Sequence, residues 1–124
     1  MSLYNKLYTL LSTTNRITDI TELRIYPVLL PQGAAAAFPA VTYQRVSADR
    51  VYSLSGYNTL ENVRIQIDCW ATSFETVKDL GDKMRQTVDG ATAFASNLIS
   101  DQDLYEDELG VYRVSMDFSL WNKE

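Results

Sequence analysis

Between Asn62 and Ala71 the chain reads N-V-R-I-Q-I-D-C-W-A, so that Val63, Ile65, Ile67 and Cys69 alternate with Arg64, Gln66, Asp68 and Trp70. A period of two marks a strand with one face on a core and the other elsewhere. β-branched residues dominate the apolar face, where a pleated surface packs them well. Burying each of Val63, Ile65 and Ile67 is worth roughly 1.5–3 kcal/mol. This segment is therefore expected at the centre of a sheet, and what its polar face does is the functional question.

The pattern on either side supplies the rest of the fold. Ser2 can cap a first helix in which Leu3, Leu7, Leu10 and Leu11 share one stripe. Tyr4 and Tyr8 widen that stripe, with hydroxyls reaching its polar edge. Ser12 to Asn15 end it by competing for backbone hydrogen bonds, and Ile17, Ile20 and Leu23 allow one more short helical turn. Arg24 to Leu30 reads as extended, but Pro27 cannot donate to a ladder and makes this an edge or interrupted strand. Pro31 to Pro39 reads as a loop because prolines and Gly33 bracket its alanines. Ala40 to Leu54 resumes strand character, and Ser53 to Asn58 turns it back into the central strand as a long antiparallel hairpin.

After the central strand, Thr72 and Glu75 have capping-box spacing. Phe74, Val77, Leu80, Gly81, Met84 and Val88 then mark one face of a second long helix, closed by Asp89-Gly90 with a left-handed cap expected at the glycine. Phe94 to Tyr105 and Val111 to Trp121 read as two further strands joined by a turn at Asp107–Gly110, and Trp121 falls on the outer face. The expectation is a single α+β domain over residues 1–124. Its mostly antiparallel sheet has about four to five strands, with two main helices packed on one face.

Composition removes more functions than it adds. The chain has no histidine, hence neither the commonest general base nor the commonest transition-metal ligand. Its one cysteine, Cys69, forms no internal disulfide, fits a reducing compartment and sits on the apolar face as a small hydrophobe. No phosphate-cradling glycine motif and no nucleophile elbow occur. No signal peptide is expected at the N-terminus, and no stretch approaches membrane-spanning length.

The net charge of −5 is concentrated in Asp101, Asp103, Glu106, Asp107 and Glu108; the rest of the chain has as many acids as its 11 bases. No basic patch of the kind that neutralises phosphates is evident, so specific nucleic-acid binding is not expected. Asp101 and Asp103, approached by Asp68 or Asp117, leave a paired-carboxylate hydrolase or a calcium site formally open; solvated or partner-facing strand carboxylates are the simpler account. The aromatics are more informative. Tyr52, Tyr57, Trp70 and Trp121 join other tyrosines on predicted strands, and both tryptophans fall on polar faces. Either they are partly buried under a loop or helix, or they form a protein interface, where tryptophan, tyrosine and arginine are enriched.

The order of these pieces resembles a known family. Arg24-Ile25-Tyr26-Pro27, Pro31-Gln32-Gly33, Val41 to Val46, Val63 to Ala71 with the helix opening Ser73-Phe74-Glu75, and the ending Tyr112-Arg113, Met116-Asp117-Phe118 and Trp121 are similar to the tail-completion (tail-terminator or head–tail joining) proteins of long-tailed bacteriophages. The likeness covers nearly the whole chain, and the Ala34–Ala37 run departs from it. It implies a structural virion protein without catalysis or cofactor, located at the head-proximal end of the tail and in the host cytoplasm during assembly. It also implies a ring of copies, a hexamer, with the tail-tube protein and a head-completion or connector protein as partners and no membrane. Such a ring would end tube growth, dock the head and let DNA pass.

On that reading Trp70, Trp121, Tyr52 and Tyr57 are candidates for subunit or partner contacts. Pro31, Gln32, Gly33 and Phe38 form an assembly loop expected to be mobile in the free subunit. The acidic segment, expected on a projecting hairpin, faces the ring's lumen, with packing against a neighbour's Arg45, Arg50 or Arg64 as the runner-up. A small cytosolic ligand-binding or regulatory domain, with aromatics lining a pocket, is the alternative.

Overall fold

A computed structural model describes residues 3–22, 24–28, 38–53, 56–92, 94–107 and 110–123, without the side chains of residues 49–60, 122 and 123. Eight elements follow in chain order: α1 (Leu3–Thr13), α2 (Asn15–Thr21), β1 (Ile25–Pro27), β2 (Ala40–Ser53), β3 (Gly56–Ala71), α3 (Phe74–Asp89), β4 (Ala95–Glu106) and β5 (Val111–Lys123). The strands form one sheet in the order β1-β2-β3-β5-β4, with β1 parallel to β2 and every other pairing antiparallel. The fold is α+β, with a mixed five-stranded sheet and the helices on one face, as the alternation of apolar residues implies.

The strand read as central occupies the middle of the sheet. Val63, Ile65, Ile67, Cys69 and Ala71 are each at most 1% exposed, and they register against Leu120, Phe118, Met116, Val114 and Tyr112 of β5. Above this surface lie Leu3, Leu7 and Leu11 of α1, Ile17 of α2, and Val77, Leu80, Met84 and Val88 of α3, all in one apolar cluster. α1 and α3 bury most of the stripe their spacing predicts, with Phe74 of α3 the exception, and Leu23 of the predicted short turn lies outside the described residues. Packing is closest at Gly81, where an added Cβ would come within 3.3 Å of Val114 Cγ1, so the glycine lets α3 sit down on β5. Burial pushes the Cys69 thiol up, with a smaller push from the Asp68 charge, and keeps it protonated.

The threonines after α1 explain why the N-terminal helix breaks in two. Thr13 Oγ1 donates to the Thr9 carbonyl and Thr14 Oγ1 to that of Leu10, both at 2.6 Å. Thr14 is extended (φ −90°, ψ 112°), and its carbonyl accepts from the amides of Ile17 and Thr18 to open α2. β1 is a short edge strand, as Pro27 requires.

Four local expectations are corrected. The turn is tighter than Ser53–Asn58, because β3 already begins at Gly56 and Tyr52 registers opposite Tyr57. The α3 N-cap is Ser73 in extended conformation, one residue beyond Thr72, so Glu75 no longer stands three residues after the cap. Phe74 is then rotated off the buried face: it is 51% exposed and meets Tyr112 edge-on at 5.7 Å. Gly90 is right-handed (φ −86°), its amide bonded to the Gln86 carbonyl, while Ser96 Oγ donates to the Val88 carbonyl at the same helix end.

Among the described residues, the glycine with a positive φ is Gly110 (φ 66°), which closes the β4–β5 turn through a 2.8 Å bond from its amide to the Glu106 carbonyl. Nothing lies within 4 Å of an added Cβ there, so a substitution meets no clash and carries only the conformational penalty. Gly110→Ala is expected to lower unfolding free energy by about 1–2 kcal/mol in urea titration. An unchanged midpoint would mean that the turn adopts another conformation at no cost.

Candidate assembly surfaces

Covering one face of the sheet with helices leaves the even-numbered residues of β3 on the other. There they meet the odd-numbered residues of β5 and, from Ala40 to Gln44, the even-numbered residues of β2. This face bonds to itself. Arg64 makes a two-pronged contact with Asp117, Nε to Oδ1 at 3.2 Å and Nη2 to Oδ2, and this bond pushes the guanidinium pKa further up. Gln66 Nε2 donates to both oxygens of Asp68, at 3.2 and 3.0 Å, and Asn62 Nδ2 donates to Ser119 Oγ at 2.8 Å.

Arg113 is the hub of the lower half. Its Nη1 lies 3.8 Å from Asp68 Oδ2 and its Nη2 3.0 Å from Glu106 Oε1, while its Cζ stands 5.1 Å from the centre of the Trp70 ring. The indole Nε1 of Trp70 donates to Thr42 Oγ1 at 3.0 Å. The buried Nε of Arg113 has no hydrogen-bond partner, so the guanidinium is held by its two outer nitrogens and by the ring.

The predicted contact residues therefore fall into different groups. Trp70 is half-buried and tied down within its own chain, and Arg64 is committed to Asp117. Trp121 is 39% exposed on the open face, opposite Asn62 and Ala95. Arg45 is exposed, and its backbone amide donates to Tyr4 Oη at 2.7 Å. Arg50 registers opposite Glu61, and Tyr52 opposite Tyr57, at the far end of the β2–β3 hairpin. Phe38 is half-buried just before β2, while Pro31, Gln32, Gly33 and the rest of that loop to residue 37 lie outside the described residues.

Asp101, Asp103 and Glu106 lie on β4, which is the edge of the sheet and is paired with β5 along its length, rather than on a hairpin standing clear of it. Asp103 is bonded to Lys78 Nζ of α3 at 3.1 Å and Glu106 to Arg113, whereas Asp101 and Asp107 are exposed; Glu108 lies outside the described residues. The paired-carboxylate arrangement does not form. Asp101 and Asp103 register with Met116 and Val114 on the helix-covered side, whereas Asp68 and Asp117 lie on the open side. Among the described residues, no group of three or more acids or cysteines is placed to hold a metal ion.

One feature was not visible in the sequence. Tyr4, Tyr8 and Thr9 of α1, with Pro27, Val28 and Tyr43, line a groove of about 500 Å³ along the β1 edge. Tyr43 is buried beneath it, its ring 5.8 Å from that of Tyr4, and burial raises its hydroxyl pKa, helped by Tyr8 and Tyr4. Val28 forms the rim at 53% exposure with φ 68°, held there by its amide's 2.9 Å bond to the Tyr43 carbonyl. A β-branched residue in that region is strained, a cost that sequence pattern does not reveal.

Arg113→Met removes the cation from two carboxylates, one of them the nearly buried Asp68. The expected cost is about 1–3 kcal/mol in denaturant unfolding, and Asp68→Asn in the same chain is expected to recover part of it. Strict additivity of the two changes would mean that they do not interact.

Residues 5–123 match the family described as tail completion protein gp17. A chain from the virion of a native gene transfer agent particle has the same fold: TM-score 0.74 at 12% identity, covering 99% of this chain and 96% of that one. Two solved structures from Akkermansia muciniphila overlap only partly, with TM-scores of 0.36 at 11% and 10% identity over 65% of this chain and 44% and 40% of theirs. No curated protein matches. The chain belongs to the tail-completion family of phage-type tails, and it is a structural protein of the virion tail, not an enzyme.

Proposed function

We propose that copies of this chain close into a ring, a hexamer, on the head-proximal end of the tail tube, where the ring ends tube growth and presents the surface that docks the head. The observation that carries the proposal is the family match over residues 5–123, nearly the whole length of the chain. Its partners on this reading are itself, the tail-tube protein and a head-completion or connector protein, met in the host cytoplasm during assembly. DNA passes through the ring without specific binding, in keeping with the excess of acids over bases.

Two features of the fold support an assembly role over a ligand-binding one. The open face is bonded to itself, and neither Trp70 nor Trp121 is among the residues lining the groove beside α1. Among the described residues the sheet also has an unpaired edge on both sides, and unpaired strand edges are templates for association unless they are covered.

Negative-stain microscopy of particles made with and without the protein tests the reading. Without it, tubes of irregular length and few joined heads are expected; normal tails with heads attached would overturn the proposal. The two tryptophans are expected to separate in the same assay. Trp121→Ala should leave the melting temperature within a degree or two, since an exposed side chain contributes little, and should reduce head joining. Trp70→Ala should lower the melting temperature by several degrees, because it strips the cover from Arg113 and the partner from Thr42.

A further inference from the structure

The two sides of the sheet differ in a way that points to how copies meet. Of the large apolar side chains left exposed among the described residues, Tyr4, Tyr8, Val28 and Val46 lie along the β1–β2 side, and Ile99 and Tyr105 lie on β4. These are opposite edges of the sheet. Each edge carries a register shift at its exposed β-branched residue: β2 shifts between Arg45 and Ser47, placing Val46 in the irregularity, and β4 shifts between Leu98 and Ser100, placing Ile99 in the other. A bulge blunts indiscriminate strand pairing and re-aims the side chain within it, which here leaves an apolar residue facing outward at a defined height on each edge.

Charge distinguishes the two edges. Next to Val46, Arg45 is exposed and has no ion-pair partner among the described residues; two residues beyond Ile99, Asp101 is exposed and likewise has none. The neighbouring acids Asp103 and Glu106 are already neutralised by Lys78 and Arg113. The acidic character left on β4 is thus flanked by apolar Ile99 and Tyr105, which is the composition of a contact and not of a channel wall.

We propose that the β4 edge of one copy packs head-to-tail on the α1–β2 edge of the next. Ile99 and Tyr105 meet Val28, Val46 and the tyrosine groove, and Asp101 pairs with Arg45. The occupant of the groove is a second copy of this chain. Different patches on one molecule that complement each other make a heterologous interface, which closes into a ring when the rotation permits. The inference rests on the ring reading above and says which surfaces build the ring. Of the two expected roles of the acidic segment, it takes the neighbour contact, with Asp101 as the residue that makes it.

Arg45→Cys with Asp101→Cys in one chain tests the contact inside assembled tails, where the buried and protonated Cys69 does not interfere. Mild oxidation is expected to give a ladder of covalent multimers on a denaturing gel, with no ladder from either single variant. Completed tails that give no ladder would overturn the edge contact and leave the ring standing. Tails carrying the protein in some arrangement other than a ring would overturn both. Charge reversal gives a second reading that needs no cysteine. Arg45→Glu and Asp101→Arg should each lower incorporation into tails by about tenfold, because like charges then meet at every joint, and the two together in one chain should restore it. Full incorporation of either single variant, or none from the pair when both variants fold, would overturn the contact. Rings that form normally while only tube binding fails would assign the groove to the tube protein instead.

Discussion

Burial on one side of β3 is the constraint from which the other features follow. Three helices supply enough apolar area to cover one face of a five-stranded sheet, and the cluster running from Leu7 and Leu11 through Ile65 and Ile67 to Met84 and Phe118 consumes all of it. A second apolar face would need a second layer. The even-numbered residues of β3 must therefore be polar, and polar groups packed side by side on a sheet cost free energy unless they bond to one another. Arg64 with Asp117, Gln66 with Asp68, Arg113 with Asp68 and Glu106, and Trp70 with Thr42 answer that requirement.

A face satisfied in this way makes a poor docking surface. Taking Arg64 or Arg113 into an interface would mean desolvating pairs that already meet their needs within the chain, for little return. Recognition is pushed to the parts of the sheet that neither the core nor the polar network uses. Those include exposed Trp121 and the edges, and the edges differ: β1 is short and shielded by α1, whose Tyr4 hydroxyl already takes the Arg45 amide, whereas β4 runs for twelve residues with no outer neighbour among the described residues. The proposed head-to-tail contact is one arrangement that uses both of these unlike edges.

How much of this could be read from the chain divides along the range of the interactions involved. Strand and helix patterns set by one-sided burial were legible: the alternation at Val63–Cys69, the leucine stripe of α1, the face of α3 from Val77 to Val88, and the edge position enforced by Pro27. Features decided by a choice between near-equal neighbours were not. Thr72 and Ser73 are both competent caps; the helix takes Ser73, and Phe74 at its first position is exposed. The family resemblance was legible too, but only in the order of the pieces, because no single motif among them has a chemical task that would fix its residues.

The candidate surfaces were harder to read because they depend on register. Trp70 and Trp121 look alike in sequence, each on the polar face of a strand. Registration places Arg113 opposite Trp70, and so fastens one indole to its own chain; it places Trp121 opposite Asn62 and Ala95, which offer nothing comparable. The acids divide for the same reason. Lys78 is one helical face away from Asp103 and Arg113 is two positions from Glu106 across the ladder, so these two are neutralised while Asp101, between them and the bulge, is not. Of the described acids in that run, Asp103 and Glu106 are thus neutralised once folded, Asp107 is exposed in the turn, and Asp101 is left without an ion pair beside exposed Ile99. In the proposed edge contact it is this one carboxylate, more than the total negative charge of the segment, that meets Arg45 of another copy.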